Sequence, residues 1–216
     1  MRVRVRVFGS LREALGTRAL DLQLADGTAA GALRAQLARA HPAVAAFGPR
    51  LRLSVNHAFA PDDAVLADGD EVALLPPVSG GAGTAAGGAG RAAGGAGGAG
   101  GGADAAGPGR SAGRGAAGVR CTLSETALVP AEVVARVAGT DAGGVVTFVG
   151  AVRDHARGRA IRYLEYEAYA ELALPEMERI CDEAGRRWPG TRVALAHRVG
   201  RLEVGEAAVI VAAVAP

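Results

Sequence analysis

Residues 68–81 read DGDEVALLPPVSGG. Asp68-Gly69 is a turn, Glu71 to Leu75 is a strand, and Pro76-Pro77 stiffens the exit from it. Gly80-Gly81 then makes a thin tail without side chains. Such a tail can thread a narrow channel, because no Cβ blocks close approach of the backbone. Chemistry at a C-terminal glycine needs a free carboxylate. Here that carboxylate is locked in a peptide bond to Ala82, so the chain must be cut after Gly81 before the tail can work.

The residues before this stretch build a small domain around it. Val3, Val5 and Val7 alternate with Arg2, Arg4 and Arg6, which predicts a half-buried strand. Ser10 and Glu13 read as a capping box opening a short helix that Gly16 closes. Leu20, Leu22 and Leu24 give a second strand, ended by Asp26-Gly27. Thr28 is the expected cap of a helix with Leu33 and Leu37 on one face, and His41-Pro42 stops it. Leu51, Leu53 and Val55 give a third strand. Strand, short helix, strand, helix, strand, strand is satisfied by a β-grasp, a mixed sheet wrapped on one helix.

Beyond Gly81 the composition changes. Residues 82–118 are almost only Gly and Ala and cannot bury apolar surface, which predicts a disordered linker. As a coil it would span about 30–35 Å. Three segments follow: 1–81, the 82–118 linker, and a second domain at 119–216. In the second domain we expect a strand at 119–123 and a helix from Pro130 to Val137. The apolar run Gly143 to Val152 reads as a buried strand delivering Arg153, Asp154 and His155 at its end. A strand at 161–168 would set Glu165 and Glu167 on one face. A helix at 173–187 should turn Met177, Ile180, Cys181 and Ala184 inward, with Pro175 in its first turn or bending it. Strands then lead to His197 and through Ala207 to Val214. The whole is α+β.

Composition removes several functional classes. The chain of 216 residues has a net charge of +2, too small to argue for nucleic acid. No run of 18 strongly apolar residues argues for a membrane span, and MRVRVRVFG lacks the apolar core of a signal peptide. Cys121 and Cys181 show no metal spacing and fit a reduced, cytoplasmic protein with inert thiols. No metal or bound cofactor is expected. All 24 basic residues other than histidine are arginine, so no lysine chemistry can come from this chain.

FGSLREALG near the start and VNHAFAPDDAVLADGDEVALLPPVSGG at the end of the first domain resemble the small, sulfur-carrying subunit of molybdopterin synthase. GGVVTFVGAVRDH, LEYEAY, EAGRRWP and HRVGRLEVGEAAVIVAAVAP resemble the large, catalytic subunit of the same enzyme. The resemblance implies a fusion of the two, serving molybdenum cofactor biosynthesis. It implies that a separate activating enzyme uses ATP to adenylate a freed Gly81 carboxylate, and that sulfur then replaces the adenylate as a thiocarboxylate. The tail, with Gly80 and Gly81, would enter a pocket on the second domain and pass sulfur to cyclic pyranopterin monophosphate, forming the molybdopterin dithiolene. Arg153 matches the family arginine in the anion-binding part of that pocket, where a planar guanidinium grips phosphate with two parallel hydrogen bonds. Ala151 and Val152 match substrate contacts made through backbone, and His155 could bind phosphate or shuttle a proton. A homodimer through the second domain is also implied.

Plainer readings stand beside these. Gly80-Gly81 can be where the linker begins, Arg153 a surface salt bridge, and His155 an exposed loop histidine beside Arg157 and Arg159. His197-Arg198 reads as structural, and Glu165 and Glu167 as a solvated or interface face. In the family a His-Arg pair, a helix and a lysine-bearing segment follow the last strand, whereas this sequence stops at Pro216. The expectations are therefore a truncated second domain, exposure of the 207–214 strand, and weak or no turnover by this exact chain. The alternative function is a non-enzymatic sulfur carrier with a degenerate docking domain, needing a separate intact large subunit. A ubiquitin-like protein modifier is a third reading.

Overall fold

The computed structural model describes residues 1–77, 119–156 and 158–216. Gly80, Gly81, the 82–118 segment and Arg157 lie outside the described residues.

The first domain is a β-grasp. Its elements are β1 (Arg2–Val7), α1 (Gly9–Leu15), β2 (Ala19–Gln23), α2 (Ala30–Ala40), α3 (Pro42–Ala45), β3 (Arg52–Val55), β4 (Ala58–Phe59) and β5 (Glu71–Leu75). The sheet order is β2-β1-β5-β3-β4, with β1 and β5 parallel and every other pair antiparallel. Strand alternation decides the packing. Val3, Val5 and Val7 of β1, Leu53 of β3, and Val72 and Leu74 of β5 point to α2, where Leu33 and Leu37 meet them. The opposite face carries Arg4, Arg6, Ser54, Glu71, Ala73 and Leu75.

Local signals failed at three points. Ser10 and Glu13 form no capping box, since α1 starts at Gly9 with Phe8 as its uncapped N-cap. Thr28 does not cap α2 either. Ala29 holds that position, and the Thr28 hydroxyl donates to the Ala25 carbonyl. The β3–β4 hairpin was not anticipated. Its two turn residues, Asn56 (φ 47°) and His57 (φ 67°), are both left-handed, the geometry of a tight type I′ turn without its usual glycine. Asn56 can hold it because its side chain bonds to Asp70 (2.8 Å) and accepts from the Glu71 amide (3.0 Å).

The second domain is a four-stranded sheet between two helices. Its strands are β6 (Cys121–Ser124), β7 (Gly144–Ala151), β11 (Arg192–Arg198) and β13 (Ala207–Ala215), in the order β6-β11-β13-β7. Helix α4 (Pro130–Ala135) covers one face, packing Val133 against Ala194, Ala196, Ile210, Ala212 and Val214. Helix α5 (Ala170–Arg187) covers the other with Met177 and Cys181 on Cys121 and Val193. Two small pairs complete it: β8 (His155–Ala156) with β9 (Arg159–Ala160), and β10 (Tyr163–Tyr166) with β12 (Gly200–Glu203).

Several expectations change here. The 207–214 strand is not exposed, because β13 lies inside the sheet and alternate residues meet α4 and α5. The exposed strand is β7, expected to be buried. It sits at the sheet edge, with Val146 71% and Phe148 59% exposed. An unbroken apolar run reports a demand for cover on both faces, and the described residues supply little. Helix α5 begins at Ala170, so Pro175 falls inside it, beyond the first turn. Ile180 is half exposed rather than inward. The two cysteines touch: their sulfurs are 3.5 Å apart and buried. Burial pushes both thiols up, which leaves little reactive thiolate. No helix among the described residues is long and apolar enough to cross a membrane.

Candidate functional site

Arg153 is the one free position between two anchored ones. Gly150 lies where the β7–β13 register slips between Ala207 and Val209, and a Cβ there would come within 2.8 Å of Val209. Ala151 ends β7, exposed and paired with Ala207. Val152 is buried at 3% exposure and held at both backbone groups. Its N–H donates to the Glu206 carbonyl (2.9 Å), and its carbonyl accepts from the Gly205 amide (2.8 Å). On the other side, the Ile161 amide donates to the Asp154 carbonyl (2.7 Å) and His155 pairs with Ala160. The Arg153 side chain is left to project outward. Among the described residues it makes no ion pair, so the salt-bridge reading has no partner there. The Val152 amide is already spent on Glu206 and is not free for a ligand.

His155 and Asp154 are exposed and bonded to each other, Nδ1 to Oδ1 at 2.5 Å. The histidine holds the Asp154 carboxyl below the usual carboxylate range, first by this hydrogen bond and then by charge. His197 has a structural place: its Nδ1 donates to the Arg198 carbonyl (2.7 Å) and its ring stands edge-on to Tyr166 at 5.0 Å. Glu165 lies opposite Arg201 in the β10–β12 register. Among the described residues no three His, Cys, Asp or Glu side chains gather to hold a metal ion.

The interface reading of Glu167 holds, but its partners and the role of Tyr169 were not legible in the sequence. Tyr166 packs beside Val152 in one apolar cluster with Leu202, Ala208, Ile161 and Leu164. The next residue, Glu167, reaches into the first domain. Its Oε2 accepts from the Gly9 amide (2.8 Å), and its Oε1 accepts from Arg12 (2.5 Å). The carboxylate missing from the start of α1 is thus supplied by the other domain. Two residues on, Tyr169 and then Leu172 pack on Ala73, with Phe8 and Leu75 against them. The Tyr169 hydroxyl donates to Glu71, so its oxygen accepts from Nδ1–H of His57 (2.5 Å). Burial first, and then the Glu71 carboxylate, push this phenol up. The first domain's outer sheet face therefore seats on the β10–α5 junction. Pro76 lies against Gly9, so the exit of β5 is at this seat.

Comparison with known proteins fits both halves. Residues 5–81 match the model of the ThiS family, and residues 123–216 match that of the MoaE protein. One chain thus joins a ThiS-family match to a MoaE match. A molybdopterin synthase catalytic subunit of Halalkalibacterium halodurans is 39% identical over 97 residues, which cover 45% of this chain and 62% of the relative. Molybdopterin synthase catalytic subunit 1 of Mycobacterium tuberculosis is 43% identical over 96 residues, covering 44% of this chain and 65% of the relative. The fusion thus spans less than two thirds of these curated relatives. A solved molybdopterin synthase from Staphylococcus aureus aligns at 33% identity over 44% of this chain and 69% of its own, with a TM-score of 0.42.

Proposed function

We propose that the fusion acts in molybdenum cofactor biosynthesis, moving sulfur from a thiocarboxylate on Gly81 to cyclic pyranopterin monophosphate. The observation that carries this reading is the seat of the β5 exit. Leu75 packs with Tyr169 and Leu172, and Pro76 lies against Gly9, whose amide is held by Glu167. Glu167 follows Tyr166, which shares a cluster with Val152, the residue before Arg153. From that seat, Val78 to Gly81 can extend at most about 14 Å. A free guanidinium at a strand end suits the substrate phosphate, and the exposed face of Ala151 and the imidazole of His155 flank it.

Cleavage after Gly81 comes first, since the glycine must present a carboxylate. A separate enzyme then activates it with ATP and installs sulfur, and a second copy docks through residues 119–216. Gly81→Ala tests the reading. A methyl on the last residue obstructs close backbone approach in both the protease and the activating enzyme. Incubated in extract of the native cells, which supplies the protease, with ATP, activating enzyme and a sulfide donor, the variant should lose most cleavage and most sulfur incorporation by intact mass. Loading equal to wild type would count against the proposal. Activity appearing only when an intact large subunit is added would assign the chain to the carrier role alone.

A further inference from the structure

We infer that Glu167 and Tyr169 are positioning residues that fix the register of the β-grasp domain on the second domain, and so the direction in which the chain leaves β5. The inference rests on the sulfur-transfer reading only for its consequence, not for the contact itself. The two side chains lie two residues apart at the start of α5 and grip three separate elements. Glu167 holds the start of α1 through both carboxylate oxygens, one on the Gly9 amide and one on Arg12. Tyr169 holds the start of β5 through Glu71 and the β3–β4 turn through His57. Its ring meets Phe8 at 5.0 Å and lies under the Arg6 guanidinium at 5.1 Å. Polar anchors on three separate elements restrict the orientation more than an apolar patch alone would.

The charges suit a contact made once and in one way. Glu71 faces Arg6 (3.7 Å), His57 (3.8 Å) and the Tyr169 hydroxyl, while Glu167 faces Arg12. A shift by one residue would put Ala168 or Ala170 where Tyr169 stands and leave Glu71 without the hydroxyl, and a shift by two would set Glu167 or Glu171 against Glu71. Losing such a partner costs more than the bond itself supplies. The phenol is 5% exposed as a residue, so water cannot stand in for Glu71.

The full chain provides the test. Tyr169→Phe removes only the hydroxyl and keeps the ring against Phe8. Glu167→Gln keeps an acceptor for Gly9 and discards the charge facing Arg12. By ¹⁵N relaxation, the wild-type domains should tumble with one correlation time. In Glu167→Ala/Tyr169→Phe they should tumble independently, each keeping its own dispersed amide spectrum. The Gly9 amide should exchange roughly tenfold faster or more, with Glu167→Gln intermediate. Sulfur transfer should fall by a similar factor while sulfur loading at Gly81 is unchanged. Wild-type domains that tumble separately, or a double variant that still tumbles as one with Gly9 protected, would overturn the inference. Undocking in the variant together with no sulfur transfer by the wild type would uphold the register and sink the sulfur-transfer reading.

Discussion

Arg153→Ala is expected to weaken binding of cyclic pyranopterin monophosphate about 100-fold without changing the melting of the second domain. Each hydrogen bond to a charged group is worth roughly 1.5–3 kcal/mol, and about 2.7 kcal/mol corresponds to that factor. The fold is spared because Arg153 is exposed and contributes nothing to the Val152 cluster. The backbone on either side is fixed by other residues: Val152 by Glu206 and Gly205, Asp154 by Ile161. Arg153→Lys keeps the charge but loses the planar fork, so it should recover only part of the affinity. Calorimetric titration of the three proteins at fixed ionic strength checks this. Wild-type affinity in Arg153→Ala would remove the residue from the phosphate site.

The second large effect is on stability. Leu74→Ala should cost the β-grasp domain about 3 kcal/mol, within the range seen for buried leucines. Leu74 is fully buried on the central strand β5, between β1 and β3, in the cluster that α2 closes. A domain of this size has about 4–12 kcal/mol in total, so one side chain removes a large fraction of it. The sole tryptophan, Trp188, follows α5 in the second domain and reports that domain alone. Urea titration of Leu74→Ala should therefore show an early transition by far-UV circular dichroism. The tryptophan fluorescence midpoint should stay near its wild-type value. A fluorescence midpoint that moved in step would mean the domains unfold as one unit.

The sequence made the first domain's fold readable because its information there is local. Valines alternating with arginines in β1, and the bounds of β5, follow from side-chain period alone. Features that depend on distant residues were not readable. The N-terminus of α1 is satisfied by Glu167, 158 residues away, so no nearby residue marks it and Ser10 is not its cap. The Asn56-His57 turn lacks the glycine that marks such hairpins and relies on Asp70 and Glu71 instead. Strand β7 read as buried because apolarity records what a surface needs, not what covers it. At the site, the strand end that presents Arg153 was legible from the run before it. The Glu167–Arg12 and Tyr169–Glu71 contacts were not, because each partner alone looks like an ordinary surface residue.

Sulfur at Gly81 is the central claim, and intact mass spectrometry of the protein from its native cells tests it most directly. The account predicts a fragment ending at Gly81, part of it heavier by one exchange of oxygen for sulfur. A single uncut species with Gly81 still joined to Ala82 and no added sulfur would contradict it.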